Sequence, residues 1–437
     1  MFEKYDAYKD SGVEWLGRIP SDWEMISLKR SIEGCFNGLW GSDPKSNHDD
    51  IVVLRVADFN RNKLVIDNSK LTFRNIKKSE IGNRLLKKGD LLIEKSGGGD
   101  KTLVGCVVLF NEDYKALTSN FVAKMTPKSN VNSCFLNYIF ASLYANNVNY
   151  QSIKQTTGIQ NLDTNSYLNE KFALPSLPEQ EAIVSFLNQK SSEIDQAIII
   201  KEQQIALLNE RKQIVIQKAV TQGLDPNVPM KDSCVEWIGQ IPEHWKVVRA
   251  KYLFKEVEER SVLGNEELLS VSHLTGVTPR SEKNVSMFMA EDYSGSKLCK
   301  KHDLVMNIMW AWMGALGVSN YDGIVSPAYG VYRQKVANTF NSEYLEYLLK
   351  TTKYIEHYNR ASTGLHSSRL RFYGHMFFNM KLGFPCLDEQ NEIIASIKNQ
   401  TSKIELAVEN LTNQIEKLKE YKTTLINDAV TGKIKVA

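Results

Sequence analysis

The glycine-rich stretch SGGGDKT, at residues 96–102, is the part of the sequence that comes closest to a phosphate-binding loop. A P-loop needs glycine directly before its lysine and another glycine five positions earlier, because backbone N–H groups there cradle the phosphates. Asp100 and Lys95 occupy those two positions instead. The stretch is therefore interpreted as a flexible loop or bulge and not as a nucleotide site.

Other catalytic signatures are missing from the sequence. It has no G-x-G-x-x-G opening a helix, no H-E-x-x-H, no G-x-S-x-G and no Pro-Pro pair, so the motifs of dinucleotide binding, zinc peptidases, serine hydrolases and amino-methyltransferases are absent. The six cysteines lack C-x-x-C spacing, as expected in a reducing cytosol. His366 and His375 were considered as metal ligands, but none of the seven histidines forms a convincing ligand pair. We predict no catalytic residue, no metal site and no cofactor.

Length and charge limit the interpretation further. At 437 residues the chain exceeds what one hydrophobic core supports, so two or more domains are expected. A net charge of +3 and a pI near 8.3 allow a nucleic-acid partner only through a locally basic surface. The N-terminus has no apolar leader and no apolar run approaches about 18 residues. We therefore expect no signal peptide, no membrane span and a cytoplasmic location.

The sequence contains an internal duplication. KDSGVEWLGRIPSDW at 9–23 recurs as KDSCVEWIGQIPEHW at 231–245, with ten of fifteen positions identical. LPSLPEQEAIV at 174–184 recurs as FPCLDEQNEII at 384–394, and AVT follows both at the same distance. A period this long is typical of a duplicated domain and not of a solenoid. The chain thus consists of a leader, a variable region and a long segment, and then the same three again.

Each long segment is predicted to be a single helix. Neither proline nor glycine occurs from 179 to 222 or from 386 to 431, and apolar residues recur at 3-4 spacing over about five heptads. This indicates a coiled coil, and some 44 residues would make a rod of about 66 Å. The obvious partner of such a rod is the other copy. The apolar residues of the predicted seam are Leu187, Ile194, Ile198, Ile205, Leu208, Ile397, Ile404, Leu411, Ile415 and Leu418.

The seam also contains lysine at the same place in both copies, Lys212 and Lys422, which costs stability but can fix the register. Antiparallel pairing would place the two variable regions at opposite ends, and parallel pairing would leave them side by side. The residues alone leave both open. A helix that packs only on its own domain is the remaining alternative, and the length of the seam argues against it.

The two variable regions, about 24–170 and 246–380, are predicted to share one mixed fold. Both contain short strand-like runs bounded by Gly, Asp, Asn or Pro turn signals. Both then turn helical, at 135–154 and 342–359, and each helix runs into a polar loop that contains Thr-Gly. A common frame with different side chains is what two readers of different targets would need.

The sequence therefore predicts an α+β protein in which two α/β domains are separated by two long helices that pair with each other, with pseudo-two-fold internal duplication. The expected bounds are 1–173 for the first domain, 174–226 for the first long helix, 227–383 for the second domain and 384–437 for the second long helix.

The ordered set of motifs resembles the specificity subunits of Type I restriction–modification systems. The set consists of the leader W-[LI]-G-x-I-P-x-x-W, a variable region, a P-x-L-x-E-Q helix entry, a long helix and an A-V-T-G-K-I ending, here at 429–434. The first copy departs from it, because Gln222 precedes Gly223 in AVTQGLD. The likeness extends over residues 8–436.

The resemblance implies a function in DNA recognition. Each variable region would be a target recognition domain that reads one half of a split, asymmetric site in double-stranded DNA. The two long helices would form an antiparallel coiled coil that sets the spacer. Two methyltransferase subunits that bind S-adenosylmethionine would dock on this scaffold, and ATP-dependent restriction subunits would join them. The chain itself would be non-catalytic.

Base reading needs side chains with defined donors and acceptors on loops that can enter a groove. We predict such contacts in the glycine-rich loop, in both Thr-Gly loops and after the strand at 303–308, although each could be an ordinary surface loop. In the first region the candidates are Lys95, Ser96, Gly97, Gly98, Lys101, Thr102, Gln155, Thr156, Thr157, Gly158, Gln160 and Asn161. In the second region they are Asn307, Trp310, Ser362, Thr363, Gly364, His366, Ser367, Ser368 and Arg369. The candidates for phosphate contacts are Arg55, Arg74, Arg280 and Arg371.

The leader peptide is interpreted as structural, because it is alike in two halves that should read different sequences. Trp15, Trp23, Trp237 and Trp245 are therefore expected to anchor each domain on shared scaffold. Three alternative functions remain. The chain could be a duplicated coiled-coil adaptor that binds proteins and not DNA, an enzyme with an unrecognised active site, or a subunit of a related system with a fused nuclease–methyltransferase partner.

Overall fold

The computed structural model of the protein describes residues 2–98, 102–156, 158–282, 292–364 and 370–436. The chain divides into two compact units. The first unit comprises Met1–Lys201 and Thr412–Ala437, and the second unit comprises Glu202–Leu411. Each unit therefore combines one α/β segment with one half of each long helix. None of the described helices has the length and apolar character that a membrane span needs.

Short strands form most of the regular structure outside the long helices. Before the first long helix they are β1 (Tyr8–Asp10), β2 (Arg18–Pro20), β3 (Glu24–Ser27), β4 (Ile32–Asn37), β5 (Asp50–Leu54), β6 (Phe59–Asn60), β7 (Val65–Ile66), β8 (Phe73–Asn75), β9 (Leu91–Glu94), β10 (Ser96–Gly97), β11 (Val107–Leu109), β12 (Ala116–Thr118), β13 (Val122–Pro127), β14 (Ile153–Thr156), β15 (Ile159–Leu162) and β16 (Lys171–Leu174). After it they are β17 (Met230–Asp232), β18 (Gln240–Pro242), β19 (Lys246–Arg249), β20 (Phe254–Glu256), β21 (Leu269–Ser272), β22 (Gly276–Pro279), β23 (Lys297–Cys299), β24 (Leu304–Met306), β25 (Leu316–Val318), β26 (Gly323–Val325), β27 (Gly330–Gln334) and β28 (Lys381–Phe384).

The helices range from single turns to more than forty residues. They are α1 (Leu28–Ser31), α2 (Lys78–Ile81), α3 (Ser133–Ala145), α4 (Thr164–Tyr167), α5 (Leu177–Gln222), α6 (Ala250–Leu253), α7 (Ser342–Leu349), α8 (Thr352–Ala361), α9 (Gly374–Asn379) and α10 (Leu387–Val430). The two longest, α5 and α10, are the long helices that the sequence predicted.

The two units contain the same four-stranded antiparallel arrangement. In the first unit the order is β4-β13-β9-β11, and this sheet continues through β7 and β6. In the second unit the order is β20-β27-β24-β25. Every residue of the central strands β9 and β24 is buried, which explains why both sequences are nearly continuous apolar runs. The α/β segments therefore share a fold, as predicted.

The turn before the central strand is also shared. Gly89 and His302 both have left-handed backbone conformations, with φ of 90° and 74°. Each is followed by a buried aspartate. Asp303 accepts hydrogen bonds from Arg333 Nε and Nη2, both at 2.7 Å. Asp90 accepts hydrogen bonds from Thr126 Oγ1 and from the Lys87 N–H, and it lies 3.4 Å from Lys124 Nζ. A buried carboxylate needs such partners, because desolvation of an unpaired charge is costly.

Within the first unit the long helices run antiparallel. Lys201 Nζ donates to Gln414 Oε1 at 2.6 Å, and Lys422 Nζ donates to Asp195 Oδ1 at 2.8 Å. Between these two contacts the residue number rises on α10, from 414 to 422, and falls on α5, from 201 to 195. The same direction holds in the second unit, where Lys212 Nζ donates to Glu405 Oε1 at 2.6 Å and Val220, further along α5, shares a hydrophobic core with Ile397, further back on α10. Antiparallel pairing, which the residues alone left open, is thus observed in each unit.

The predicted seam lies on the buried face of the two helices. All ten apolar seam residues are buried or half-buried. Ile200, Leu207 and Ile214, which repeat at heptad spacing on another face of α5, are exposed. The heptad pattern therefore identified the buried face correctly.

The glutamine of each helix-entry motif connects the long helix to the α/β segment. Gln180 Oε1 accepts a hydrogen bond from the backbone N–H of Asn132 at 2.8 Å, and Gln390 Oε1 accepts one from Asn341 at 2.9 Å. The amide group of each donates to two backbone carbonyls. Asn132 and Asn341 are the N-cap residues of α3 and α7. Both glutamines are buried, so the motif is a structural anchor whose polar atoms are all used.

The leader peptides pack where each long helix ends. Trp23 and Trp245 are both 1% exposed. Gly432 packs so closely on Pro20 that a Cβ added to this glycine would be 2.3 Å from Pro20 Cδ. Gly223 packs on Trp245, and a Cβ added to it would be 3.7 Å from Trp245 Cζ2, an ordinary contact distance. Both glycines have positive φ, as helix C-terminal glycines commonly do.

The two buried tryptophans differ in hydrogen bonding. Trp245 Nε1 donates to Glu389 Oε1 at 3.0 Å. Trp23 Nε1 has no hydrogen-bond partner among the described residues, because the equivalent Glu179 accepts from Tyr5 Oη instead. The two leader peptides thus share a buried tryptophan but differ in its hydrogen bonding.

The two ends of the chain meet within the first unit. Glu3 and Lys435 form a β-bridge, in which the Lys435 N–H donates to the Glu3 carbonyl at 2.8 Å. Tyr8 Oη donates to the Gly432 carbonyl at 3.0 Å. The C-terminal part of α10 also contributes to the first unit's hydrophobic core.

The two shorter helical predictions were wrong in part, the first in its end and the second in its continuity. The stretch 135–154 is helical only to Ala145, because Asn147 adopts a left-handed conformation with φ 55° and the chain continues through a 3₁₀ turn into β14. The stretch 342–359 breaks into α7 and α8, and the Thr351 side chain bonds back to the Leu348 carbonyl at the break.

Candidate nucleic-acid interface

In the first unit, the glycine-rich stretch and the first Thr-Gly segment, both predicted to contact DNA, lie side by side. The glycine-rich stretch begins as β10, which pairs with β15, and β15 pairs in turn with β14 in a hairpin closed by the Thr-Gly turn. Ser96 lies opposite Asn161, and Gly97 lies opposite Gln160. Two separately predicted stretches therefore form one small sheet at the end of the central strand β9.

Exposure divides these residues into two groups. Gln155, Gly158 and Asn161 are exposed, and Asn161 Oδ1 accepts from Ser96 Oγ at 2.6 Å. Gln160 is buried, and its Oε1 accepts from the backbone N–H of Val104 at 3.1 Å. Gln160 therefore shapes the sheet, whereas the exposed amides face solvent.

Gly97 and Gly98 allow the glycine-rich stretch to lie close to buried groups. A Cβ at Gly98, where φ is 67°, would be 2.9 Å from Gln160 Oε1. A Cβ at Gly97 would be 3.0 Å from Glu94 Oε1. Both glycines are thus required by close approach and not by flexibility.

Glu94, at the end of β9, is fully buried beneath this stretch and was not predicted. Its Oε2 atom lies 2.7 Å from Arg61 Nη2, and Arg61 Nη1 lies 3.4 Å from Tyr144 Oη. Burial raises the pKa of Glu94, and the Arg61 guanidinium opposes that shift. No periodicity marked it, because a glutamate after an apolar run looks like the end of a strand.

The second unit has the same arrangement. In the first unit the Leu162 N–H donates to the Lys95 carbonyl at 2.8 Å, so the hairpin lies beside the segment that follows β9. In the second unit the Phe372 N–H donates to the Ile308 carbonyl at 2.9 Å, which places the second Thr-Gly segment beside the segment that follows β24. Thr363 and Arg371 exchange two backbone hydrogen bonds at the base of that segment.

The segment after β24 is apolar where its counterpart is glycine-rich. We call Ile308–Gly314 the aromatic loop. Within it Trp310 is 46% exposed and Met313 is 38% exposed. The rings of Trp310 and Trp312 lie 6.0 Å apart, with their planes inclined by 27°.

Hydrogen bonds hold the aromatic loop in one conformation. Asn307 is buried, its Oδ1 accepts from the Met309 N–H at 3.1 Å, and its Nδ2 donates to Tyr329 Oη at 3.1 Å. Trp312 Nε1 donates to the Met309 carbonyl at 3.0 Å. Asn307, selected as a possible base contact, therefore has its side chain engaged within the protein.

Two of the four arginines selected for phosphate contacts are engaged elsewhere. Arg74 lies over the Trp40 ring and pairs with Asp43. Arg55 makes two side-chain hydrogen bonds to Asp58, which raise the pKa of its guanidinium.

The other two arginines lie near the interface of the second unit. Arg280 lies near enough to Tyr329 to oppose the rise that burial causes in the pKa of Tyr329. Arg371 begins the strand segment beside the aromatic loop.

The remaining selected residues are distributed as follows. Thr102, Thr363 and Gly364 are exposed, Lys95 is half-buried, and Ser362 Oγ donates to the Tyr358 carbonyl at 2.6 Å. The side chain of Thr156 is not described. Lys101, Thr157, His366, Ser367, Ser368 and Arg369 lie outside the described residues.

Phe121 and Asn37 were missed by the sequence analysis. The Phe121 carbonyl accepts from the N–H groups of Lys95 and Ser96, and its ring is 51% exposed beside the glycine-rich stretch. Asn37 Oδ1 accepts from Lys95 Nζ at 2.6 Å. Both lie on distant segments that only the sheet brings together, so no local pattern could reveal them. In the part of the chain that the structure describes, no cluster of His, Cys, Asp or Glu could hold a metal ion.

Comparison with known proteins agrees with this architecture. The family model of the Type I restriction modification DNA specificity domain matches residues 20–209. A putative type I restriction enzyme MjaX specificity subunit from Methanocaldococcus jannaschii is 24% identical, over 100% of this chain and 98% of that protein. The chain is therefore similar, along its whole length, to a specificity subunit of a type I restriction enzyme.

Further proteins are similar to this chain in sequence or in fold. The type I restriction enzyme MjaVIII specificity subunit of the same organism is 26% identical over 74% of this chain and 75% of that protein. Among solved structures, a chain from a study of complex assembly and conformational transition in a type I restriction–modification system matches with a TM-score of 0.65 and 14% identity, over 94% of this chain and 98% of that one. The HsdS subunit from Thermoanaerobacter tengcongensis matches with a TM-score of 0.51 and 14% identity, over 95% of this chain and 98% of that one.

Proposed function

We propose that this chain is a specificity subunit, which directs a DNA-modifying complex to a split, asymmetric site in double-stranded DNA. The α/β segment of each unit reads one half of the site, and the paired helices set the spacer between the halves. The chain itself carries no catalytic step. Methyltransferase subunits, which bind S-adenosylmethionine, and ATP-dependent restriction subunits act on the site that it selects, in the cytoplasm.

The observation that carries the proposal is the repeated pairing of a post-strand segment with a Thr-Gly segment. The same backbone contact, Leu162 to Lys95 and Phe372 to Ile308, occurs in both units. The side chains on that common frame differ: one unit presents exposed amides beside a glycine-rich stretch, and the other presents aromatic rings. A shared frame with different surfaces fits two readers of different sequences.

Residue roles within the proposal follow from exposure. We assign base contacts to Gln155, Asn161 and Thr363, which are exposed on the Thr-Gly segments. Arg280 and Arg371 are better suited than Arg55 or Arg74 to phosphate contacts, because the latter two are held by aspartates. The six selected residues outside the described part of the chain stay predictions.

The spacer role follows from the antiparallel helices. Each helix takes part in both units, so its length is fixed by the sequence and not by a flexible linker. The exposed heptad-spaced residues Ile200, Leu207 and Ile214 on α5 are suited to contacts with protein partners, since exposed apolar rows often mark interfaces.

Mapping of methylated adenines in the host genome, with and without this gene, tests the proposal. One split-site motif should lose its methylation when the gene is deleted and regain it on complementation. The purified chain with its methyltransferase subunits should then bind a duplex that carries that motif, with an affinity that falls as salt is raised. Unchanged methylation in a strain that expresses the system, together with no duplex binding, would favour a protein-binding adaptor instead.

A further inference from the structure

The aromatic loop, Ile308–Gly314, carries exposed apolar side chains where the equivalent stretch of the first unit is glycine-rich. Trp310 and Met313 are among the exposed large apolar residues of the second unit, and Trp312 lies beside Trp310. A single exposed apolar residue needs no explanation, whereas a group on one short loop next to a proposed interface does.

The loop lies at the proposed interface and is not a remote patch. It follows β24 as the glycine-rich stretch follows β9, and the Phe372 N–H binds the Ile308 carbonyl next to the second Thr-Gly segment. A surface continuous with the proposed DNA interface is most simply covered by the same DNA.

The loop is also rigid, which an inserted side chain requires. Three backbone hydrogen bonds close the loop around Trp310. The Trp310 N–H donates to the Asn307 carbonyl, and the Trp310 carbonyl accepts from the N–H groups of Met313 and Ala315. Gly314, with φ 81°, lies so close to helix α8 that a Cβ there would be 3.0 Å from Ile355 Cδ1. Trp310 is therefore presented on a supported loop, and little conformational entropy is lost when its ring is buried.

The geometry points to Trp310 as an apolar wedge that inserts partly between two base pairs of the second half-site and unstacks that step. Proteins that distort DNA use apolar side chains in this manner, and the energetic gain comes from burying the ring against base faces. The inference rests on the proposed function, and it adds that the two half-sites are recognised differently. At the position equivalent to Trp310 the first unit has Gly97, so the glycine-rich stretch carries no such wedge.

Site-specific 2-aminopurine fluorescence tests the wedge. The probe replaces one adenine at a time in a duplex that carries the methylation motif, and the adenines that become methylated are left unsubstituted. With the assembled methyltransferase complex, fluorescence should rise at a step in the second half-site. Trp310→Ala should abolish that rise and weaken binding about ten-fold, whereas Trp310→Phe should keep most of both.

Met313→Ala is the matched control, because Met313 is on the same loop and is similarly exposed. It should leave the fluorescence signal in place. Trp310→Ala should fold, since the bonds that close the loop use the backbone of residue 310.

Each result has a distinct meaning. Normal duplex binding without any Trp310-dependent signal in the second half-site would overturn the wedge and leave the proposed function standing. If Trp310→Ala weakened assembly with the methyltransferase subunits but not DNA binding, the loop would be a protein-docking surface and the wedge would be wrong. Absence of duplex binding by the wild-type complex would instead overturn the proposed function.

Discussion

Lys422 Nζ lies 2.8 Å from Asp195 Oδ1 across the paired helices, and Lys212 Nζ lies 2.6 Å from Glu405 Oε1 in the other unit. The two pairs are equivalent, because Lys212 and Glu405 become Lys422 and Asp195 under the same shift of 210 positions. The lysines that interrupt the apolar seam thus have acidic partners that also belong to the repeat. Such pairs favour one alignment of the helices over alignments shifted by a heptad.

Asp195→Ala should destabilise the first unit, since Lys422 is only 14% exposed and would lose its charged partner. We expect the free energy of unfolding to fall by about 1–2 kcal/mol, less than for a fully buried pair, because Asp195 is partly solvated. Urea unfolding followed by circular dichroism measures it. Glu405→Ala is the matched control and should cost less than about 1 kcal/mol, since Glu405 is 60% exposed. Equal losses would contradict this explanation.

Gln180→Met should destabilise the junction between α3 and α5. The methionine fills similar space but leaves the Asn132 N–H and two backbone carbonyls without their partner, which we expect to cost about 2–3 kcal/mol. Amide hydrogen exchange at the start of α3 should become faster. Gln390→Met should have the same effect at the start of α7, because its contacts are equivalent. Protection that persists in both variants would show that the glutamines are dispensable.

Cys234→Gly should stabilise the protein. Cys234 has a left-handed backbone with φ 54°, and the equivalent residue in the first leader is Gly12, with φ 69°. Removal of the side chain relieves the steric cost of this conformation, which we expect to add about 0.5–1 kcal/mol. Gly12→Ala should lower stability by a similar amount, although its Cβ would meet no atom within 4 Å. Thermal unfolding of both variants measures the effect, and changes of the same sign would refute it.

His357 should make the second unit less stable in mild acid. Its ring stacks on Trp237 at 4.3 Å, and burial together with the nearby Arg360 charge lowers the pKa of its imidazole. The unfolded chain therefore binds a proton at higher pH than the folded chain. The stabilisation is complete above about pH 6.5 and is lost as the pH falls through the folded-state pKa.

His357→Gln should accordingly flatten the dependence of unfolding free energy on pH between about pH 7.5 and 5. His48→Gln is the control, because the His48 side chain is 81% exposed. The NMR titration of the His357 ring protons gives a direct measurement. A slope unchanged by His357→Gln would show that other groups determine the acid sensitivity.

The long helices could be predicted because their signal is regular. Leu187 and Ile194 lie one heptad apart on α5, in a stretch without proline or glycine, and Ile397 is the equivalent of Leu187 on α10; all three are buried. Antiparallel direction could not be deduced, because the contacts that fix it, such as Lys422 with Asp195, join residues far apart in the chain. Resemblance to a family supplied the direction that periodicity could not.

The candidate interface was predictable only in part. Turn-rich polar stretches marked the Thr-Gly hairpin and the glycine-rich segment, since glycine and polar residues identify loops locally. Asn307 was selected for its amide, but that amide is used inside the protein. Glu94 and Phe121 were missed, because their positions at the interface depend on strand pairing between distant segments.

The contact between Glu3 and Lys435 has a consequence for synthesis on the ribosome. The first unit includes Thr412–Ala437, which is translated after the whole of the second unit, whereas the second unit is a continuous stretch, Glu202–Leu411. At usual rates the N-terminal segment waits roughly 10–50 s for the residues that complete its core. The half of the protein that is made first therefore completes its core second.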